Sequence, residues 1–147
     1  MIPFSSSLVD GSGDPAQLVA EGSDPATLQA ELTDKLATFV ADNPLFNVVL
    51  NIGLAGAGDG RKYGAFVTVA DEAGSAYYAD TIDPSELSFT VVEAGSVAEV
   101  QAAALAARDA LVAANTGATI TALGSDLAGS GNDGRFAQLD AYRVEAP

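Results

Sequence analysis

The chain has 147 residues, with 20 acidic against six basic for a net charge of −14, and it contains no cysteine, histidine or tryptophan. Disulfides, thiolate metal sites and histidine-based triads are therefore excluded, and the usual neutral-pH general base is missing. The length suits one domain, able to bury roughly 70% of the surface its unfolded chain would expose.

Residues 1–23 are rich in Ser, Gly, Asp and Pro, with Ile2, Phe4, Leu8, Val9 and Leu18-Val19 as isolated apolar points. That composition reads as an N-terminal arm, with Ile2 and Phe4 as candidate anchors for neighbouring subunits. The opening "MIPFSSSLVDGSGD" lacks a basic n-region and a long apolar core, so no signal peptide is expected. Ser5–Ser7 offer a nucleophile without an identifiable base. Asp10, Asp14 and Asp24 sit in turn and helix-cap contexts, "DGSGDP" and "EGSDP", which account for them better than a metal cluster does.

Residues 24–147 read as a single α+β domain. "SDPATLQAELTDKLATFVADN" predicts a helix capped by Asp24 or Ser23, with Pro25 at its first position. Leu28, Leu32, Leu36, Phe39 and Val40 mark one face, Glu31 and Lys35 make an i,i+4 pair, and Asn43-Pro44 stops the helix. "LFNVVLNIGLAG", "YGAFVTVAD", "SAYYAD" and "LSFTVVE" read as strands. Tyr77 and Tyr78 in the third are ordinary strand residues, or one of them an exposed binding spot. "GSVAEVQAAALAARDALVAANTG" predicts the second helix. Ser96 and Glu99 form its capping box, Val97, Val100, Ala104, Ala107, Leu111 and Val112 its apolar stripe, and Asn115 and Gly117 its end. "ATITALGS" and "RFAQLDAYRVE" close the chain as strands. The longest near-apolar run, 97–114, carries Glu99, Gln101, Arg108 and Asp109, so no membrane span is expected.

Two glycine segments echo each other: "LAGAGDGR" at 54–61 and "LAGSGNDGR" at 127–135. Likewise "FVADN" at 39–43 matches "LVAAN" at 111–115, 72 residues on. The expectation is a duplicated αββ unit, 24–70 and 96–147, joined by a two-strand insert at 71–95. The whole gives a mostly antiparallel sheet of about six strands with two helices; the alternative is two small lobes, each with its own sheet.

The glycine segments fit a phosphate loop poorly. A P-loop needs Gly-Lys-Ser/Thr and then a helix, whereas Arg61-Lys62 is followed by Tyr63 and a strand. The dinucleotide fingerprint has a different spacing and also needs a helix. "AGSGNDG" at 128–134 resembles part of the repeat of calcium-binding β-rolls, but those need tandem copies. Asp59, Asp126 and Asp133 would be the residues to watch for calcium; neither a metal nor a cofactor is expected. The favoured reading is a pair of hairpin tips, because Asp-Gly supplies the positive φ a tight turn needs. Arg61 and Arg135 then occupy equivalent places, pairing with Asp59 and Asp133 or reaching a neighbouring subunit.

Three function classes follow. The first is a non-enzymatic assembly protein, a homo-oligomer whose partners are other protein subunits. Nucleic acid and anionic membranes are not expected partners, because the six basic residues are scattered. The second is a small-ligand or carbohydrate-binding module using the glycine loops. The third is an enzyme working through carboxylates alone, for which no convincing pair stands out. In texture, "MIPFSSSLVDGSGDP" and "AGSGNDGRFAQLDAY" resemble capsid decoration or cement proteins of tailed bacteriophages. That resemblance implies a virion component that binds at capsid symmetry positions and stabilises the shell, with a tail or connector subunit as the nearby alternative. It transfers no functional residues. Outside a virion, a cytoplasmic or extracellular location is expected.

Overall fold

The computed structural model describes residues 16–22, 24–42, 52–57, 62–69, 83–129 and 135–147. The protein is α+β, with two helices and antiparallel strands. The chain runs β1 (Ala16–Gly22), α1 (Pro25–Asp42), β2 (Ile52–Ala57), β3 (Lys62–Val69), a single 3-10 turn (Pro84–Glu86), β4 (Leu87–Ala94), α2 (Val97–Ala114), β5 (Thr119–Gly129) and β6 (Phe136–Glu145). The strands divide between two three-stranded sheets, ordered β1-β3-β2 and β4-β6-β5. Each half runs strand, helix, strand, strand, with its last strand in the middle of its sheet.

Local chemistry explains both helix starts. The Thr27 N–H donates to Asp24 Oδ1 at 2.8 Å, and the Thr27 hydroxyl donates to Oδ2 at 3.1 Å. In α2 the Glu99 N–H donates to Ser96 Oγ at 3.2 Å. Each cap satisfies a backbone donor that has no partner within the helix. At the far end of α2, the Asn115 Nδ2 donates to the Leu111 carbonyl at 2.8 Å, and Gly117 takes φ +84° to turn the chain.

Residues 16–22 are not part of an arm: they form β1, paired with β3 from Ala16↔Val69 to Gly22↔Tyr63. Their strand state comes from that long-range ladder rather than from a local hydrophobic pattern. β1 also ends in close contact with α1. A Cβ on Gly22 would lie 2.4 Å from the Leu28 nitrogen, so only glycine fits there.

The main core lies between α1 and one face of the second sheet. Leu28, Leu32, Leu36 and Phe39 of α1 meet Leu87, Phe89 and Val91 of β4, Ala128 of β5, and Ala137, Leu139 and Ala141 of β6. Ala20 and Leu54 bring the first sheet into the same cluster. Side chains alternate between faces along a strand, so Thr90 of β4 and Asp140 and Tyr142 of β6 point the other way. That opposite face carries α2, whose Val100 and Ala104 are buried. The second sheet is therefore covered on both sides, by α1 and by α2. The Leu54 N–H donates to Asp126 Oδ2 at 2.7 Å, tying edge strand β2 to edge strand β5.

Candidate functional site

α1 contacts β1 and β3 of its own half and also β4 of the other half. β4 is an edge strand, whose outward N–H groups need a partner or water. Gln29, in the second turn of α1, supplies one: its Oε1 accepts the Val91 N–H at 2.9 Å. Beside this bond runs an open groove of about 540 Å³, lined by Pro25, Ala26, Gln29, Ala30, Thr33, Asp34 and Val91. Its lining offers an amide, a hydroxyl, apolar atoms and one carboxylate.

α2 is covered on one side only. The sequence reading placed Val97, Val100, Ala104, Ala107, Leu111 and Val112 on a single inner stripe. Val100 and Ala104 are buried and Ala107 and Leu111 half-buried, but Val97 and Val112 are 38% and 47% exposed. They belong to a second stripe with Gln101, Leu105 and Arg108, at spacings of four, four, three and four. Leu105, at its centre, is 56% exposed. Alanine at nine of the eighteen helix positions blurs the two faces in the sequence, since alanine suits either.

Charged residues stitch the second sheet. Arg135 Nε lies 3.1 Å from Glu93 Oε1, and Arg143 Nε lies 3.0 Å from Glu86 Oε2. Arg135 thus finds a partner across the sheet. The register pairs Ala94 with Phe136, which sets Arg135 beside the end of β4. Under α2, Gln138 Nε2 donates to Asp140 Oδ2 at 3.0 Å and to Ser125 Oγ at 3.2 Å. Burial raises the Tyr142 phenol above its ordinary pKa, and the Asp140 carboxylate adds to the effect.

Of the sequence-derived contact residues, Arg135 is placed as above; Ile2, Phe4, Asp59, Arg61 and Asp133 lie outside the described residues, as do Tyr77 and Tyr78. The glycine segments are strand up to Ala57 and Gly129, and their tips fall outside the described residues. Asp126, the one described calcium candidate, instead accepts backbone N–H groups from Leu54 and, at 3.1 Å, from Leu127. Among the described residues, no three acidic side chains gather where a metal ion would fit. No helix among them is long and apolar enough to cross a membrane.

Sequence reasoning missed Gln29, whose signal was present. "VAEGSDPATLQA" at 19–30 and "VVEAGSVAEVQA" at 91–102 share Val, Glu, Ala, Gln and Ala at the same 72-residue spacing. Gln29 and Gln101 stand at that spacing, as do Val19 and Val91. No known protein family, curated protein or solved structure matches the chain.

Proposed function

We propose that the chain is a non-enzymatic subunit of a larger protein assembly, a virion component of the capsid-decoration kind, built by duplication of one strand–helix–strand–strand unit. The exposed apolar stripe Val97, Leu105, Val112 carries this reading, because it lies on a helix whose inner face is already buried. Such a stripe on an otherwise acidic surface marks a contact for another protein. The duplication draws support from the common strand order of the two halves and from their helices, which start at Pro25 and Val97. Repeated units that offer equivalent surfaces suit attachment to repeated sites. The residues before β1, including Ile2 and Phe4, remain the candidate arm. A tail or connector subunit would use the same features.

Sedimentation of the chain from its native source in a density gradient tests the proposal. Migration with a particle of megadalton mass supports it, and imaging that particle separates a shell position from a tail position. Recovery at the top of the gradient, as a free chain or small oligomer, overturns it.

A further inference from the structure

The contacts of the two halves form a series with one member missing. Within each half, the helix packs on its own first strand: α1 on β1 and α2 on β4. Between halves, α1 also packs on β4. The next contact of that kind would place α2 on a β1, and β1 of the same chain does not supply it among the principal contacts.

The residues prepared for this contact correspond position by position. Gln29, Thr33, Leu36 and Val40 of α1 become Gln101, Leu105, Arg108 and Val112 of α2. In α1 three of these positions are engaged, while Thr33 is exposed: Gln29 holds the Val91 N–H, Leu36 is 6% exposed, and Val40 packs against the core. In α2 the corresponding face is open, yet at its centre leucine replaces threonine. Arg108 stands where α1 has Leu36, but Val97, Leu105 and Val112 are left together in solvent, and exposed apolar side chains grouped in this way mark a face that a partner covers.

We infer that the outer face of α2 docks on β1 of a second copy of this chain, with Gln101 accepting the Val19 N–H as Gln29 accepts that of Val91. β1 fits the role. Among the described residues it is an edge strand, with β3 as its ladder partner on the other side. Val19 stands 72 residues before Val91. Arg108 brings positive charge to a second chain whose net charge is −14. Because the contact continues the α1-on-β4 step from one copy to the next, it is head-to-tail and builds a ring or a filament. The inference rests on the assembly reading above and names the self-contact it uses.

The test uses the purified full chain, at an ionic strength high enough to screen repulsion between two acidic copies. Sedimentation velocity is expected to show a multiple of the 14.7 kDa chain mass. Leu105→Glu is expected to leave the single-chain mass, with unchanged circular dichroism and melting temperature. The chain has no cysteine, so cross-linking is free of background. Gln101→Cys chains mixed with Val19→Cys or Leu18→Cys chains should give a covalent dimer with a short bis-maleimide, while each variant alone should not. A single-chain mass at every concentration overturns the inference. So does a dimer formed by Gln101→Cys chains alone, which would place α2 against α2. A chain that sediments with a native particle yet fails these tests loses the head-to-tail contact and keeps the assembly role. A chain that passes them but is absent from any particle shows the reverse.

Discussion

The backbone N–H of Leu54 donates to the carboxylate of Asp126 at 2.7 Å, across the facing edges of the two sheets. Leu54 is buried, so its N–H has little access to water when the carboxylate is removed. Asp126→Ala is expected to destabilise the chain by about 1–3 kcal/mol, the cost of leaving a buried donor unpaired. Asp126→Asn keeps a carbonyl acceptor and should lose less. Urea unfolding of the three proteins checks the order; equal midpoints would show that water replaces the carboxylate.

The Gln29–Val91 bond makes a more local prediction. Gln29→Ala removes the acceptor from an edge-strand N–H that is partly buried. The expected stability loss is about 1 kcal/mol. Amide exchange is the sharper readout: Val91 should exchange faster in the variant, while Leu139, in the central strand, keeps its protection. Unchanged exchange at Val91 would mean that the side chain adds nothing to the edge.

Gly22 and Gly95 both precede a helix, but the structure gives them different tolerances. A Cβ on Gly22 would sit 2.4 Å from the Leu28 nitrogen and 2.7 Å from its Cα, both backbone atoms. A Cβ on Gly95 meets only Glu99 Oε2, at 3.4 Å, the free end of a flexible side chain. Gly22→Ala should therefore cost at least the ~1–3 kcal/mol typical of overpacking, and Gly95→Ala close to nothing. Denaturant midpoints for the pair provide the check.

These sites also show what the sequence made legible. Both helices, their caps at Asp24 and Ser96, and the buried stripe of α1 follow from local rules, because capping and 3.6-residue periodicity act within a few residues. β1 does not: Leu18-Val19 become part of a strand only by pairing with β3, a relation spanning some fifty residues that no local pattern encodes. The Glu93 partner of Arg135 depends on strand register in the same way. The division into two sheets turns on which edges close, and the ladders β1-β3 and β4-β6 settle that. The outer stripe of α2 was present in the sequence, but its abundant alanines hid which apolar residues face inward.

The pH dependence of the α1 cap follows from Asp24. Hydrogen bonds from the Thr27 backbone, and then from the Thr27 hydroxyl, favour the charged carboxylate and lower its pKa from 3.8. A carboxyl with a lowered folded-state pKa binds protons more weakly in the folded chain than in the unfolded one. Its contribution is therefore fully present above the unfolded value, near 4, and is lost as pH falls through the lower folded value. Asp24→Ala should be less stable than the parent at neutral pH, and the gap should narrow as pH drops below about 4. Asp24→Asn, a neutral cap, should show a smaller gap with less pH dependence. Thermal melts of all three proteins between neutral pH and the acid limit of folding test this. A gap for Asp24→Ala that stays constant through the acid range would mean that the cap acts through its hydrogen bonds regardless of charge.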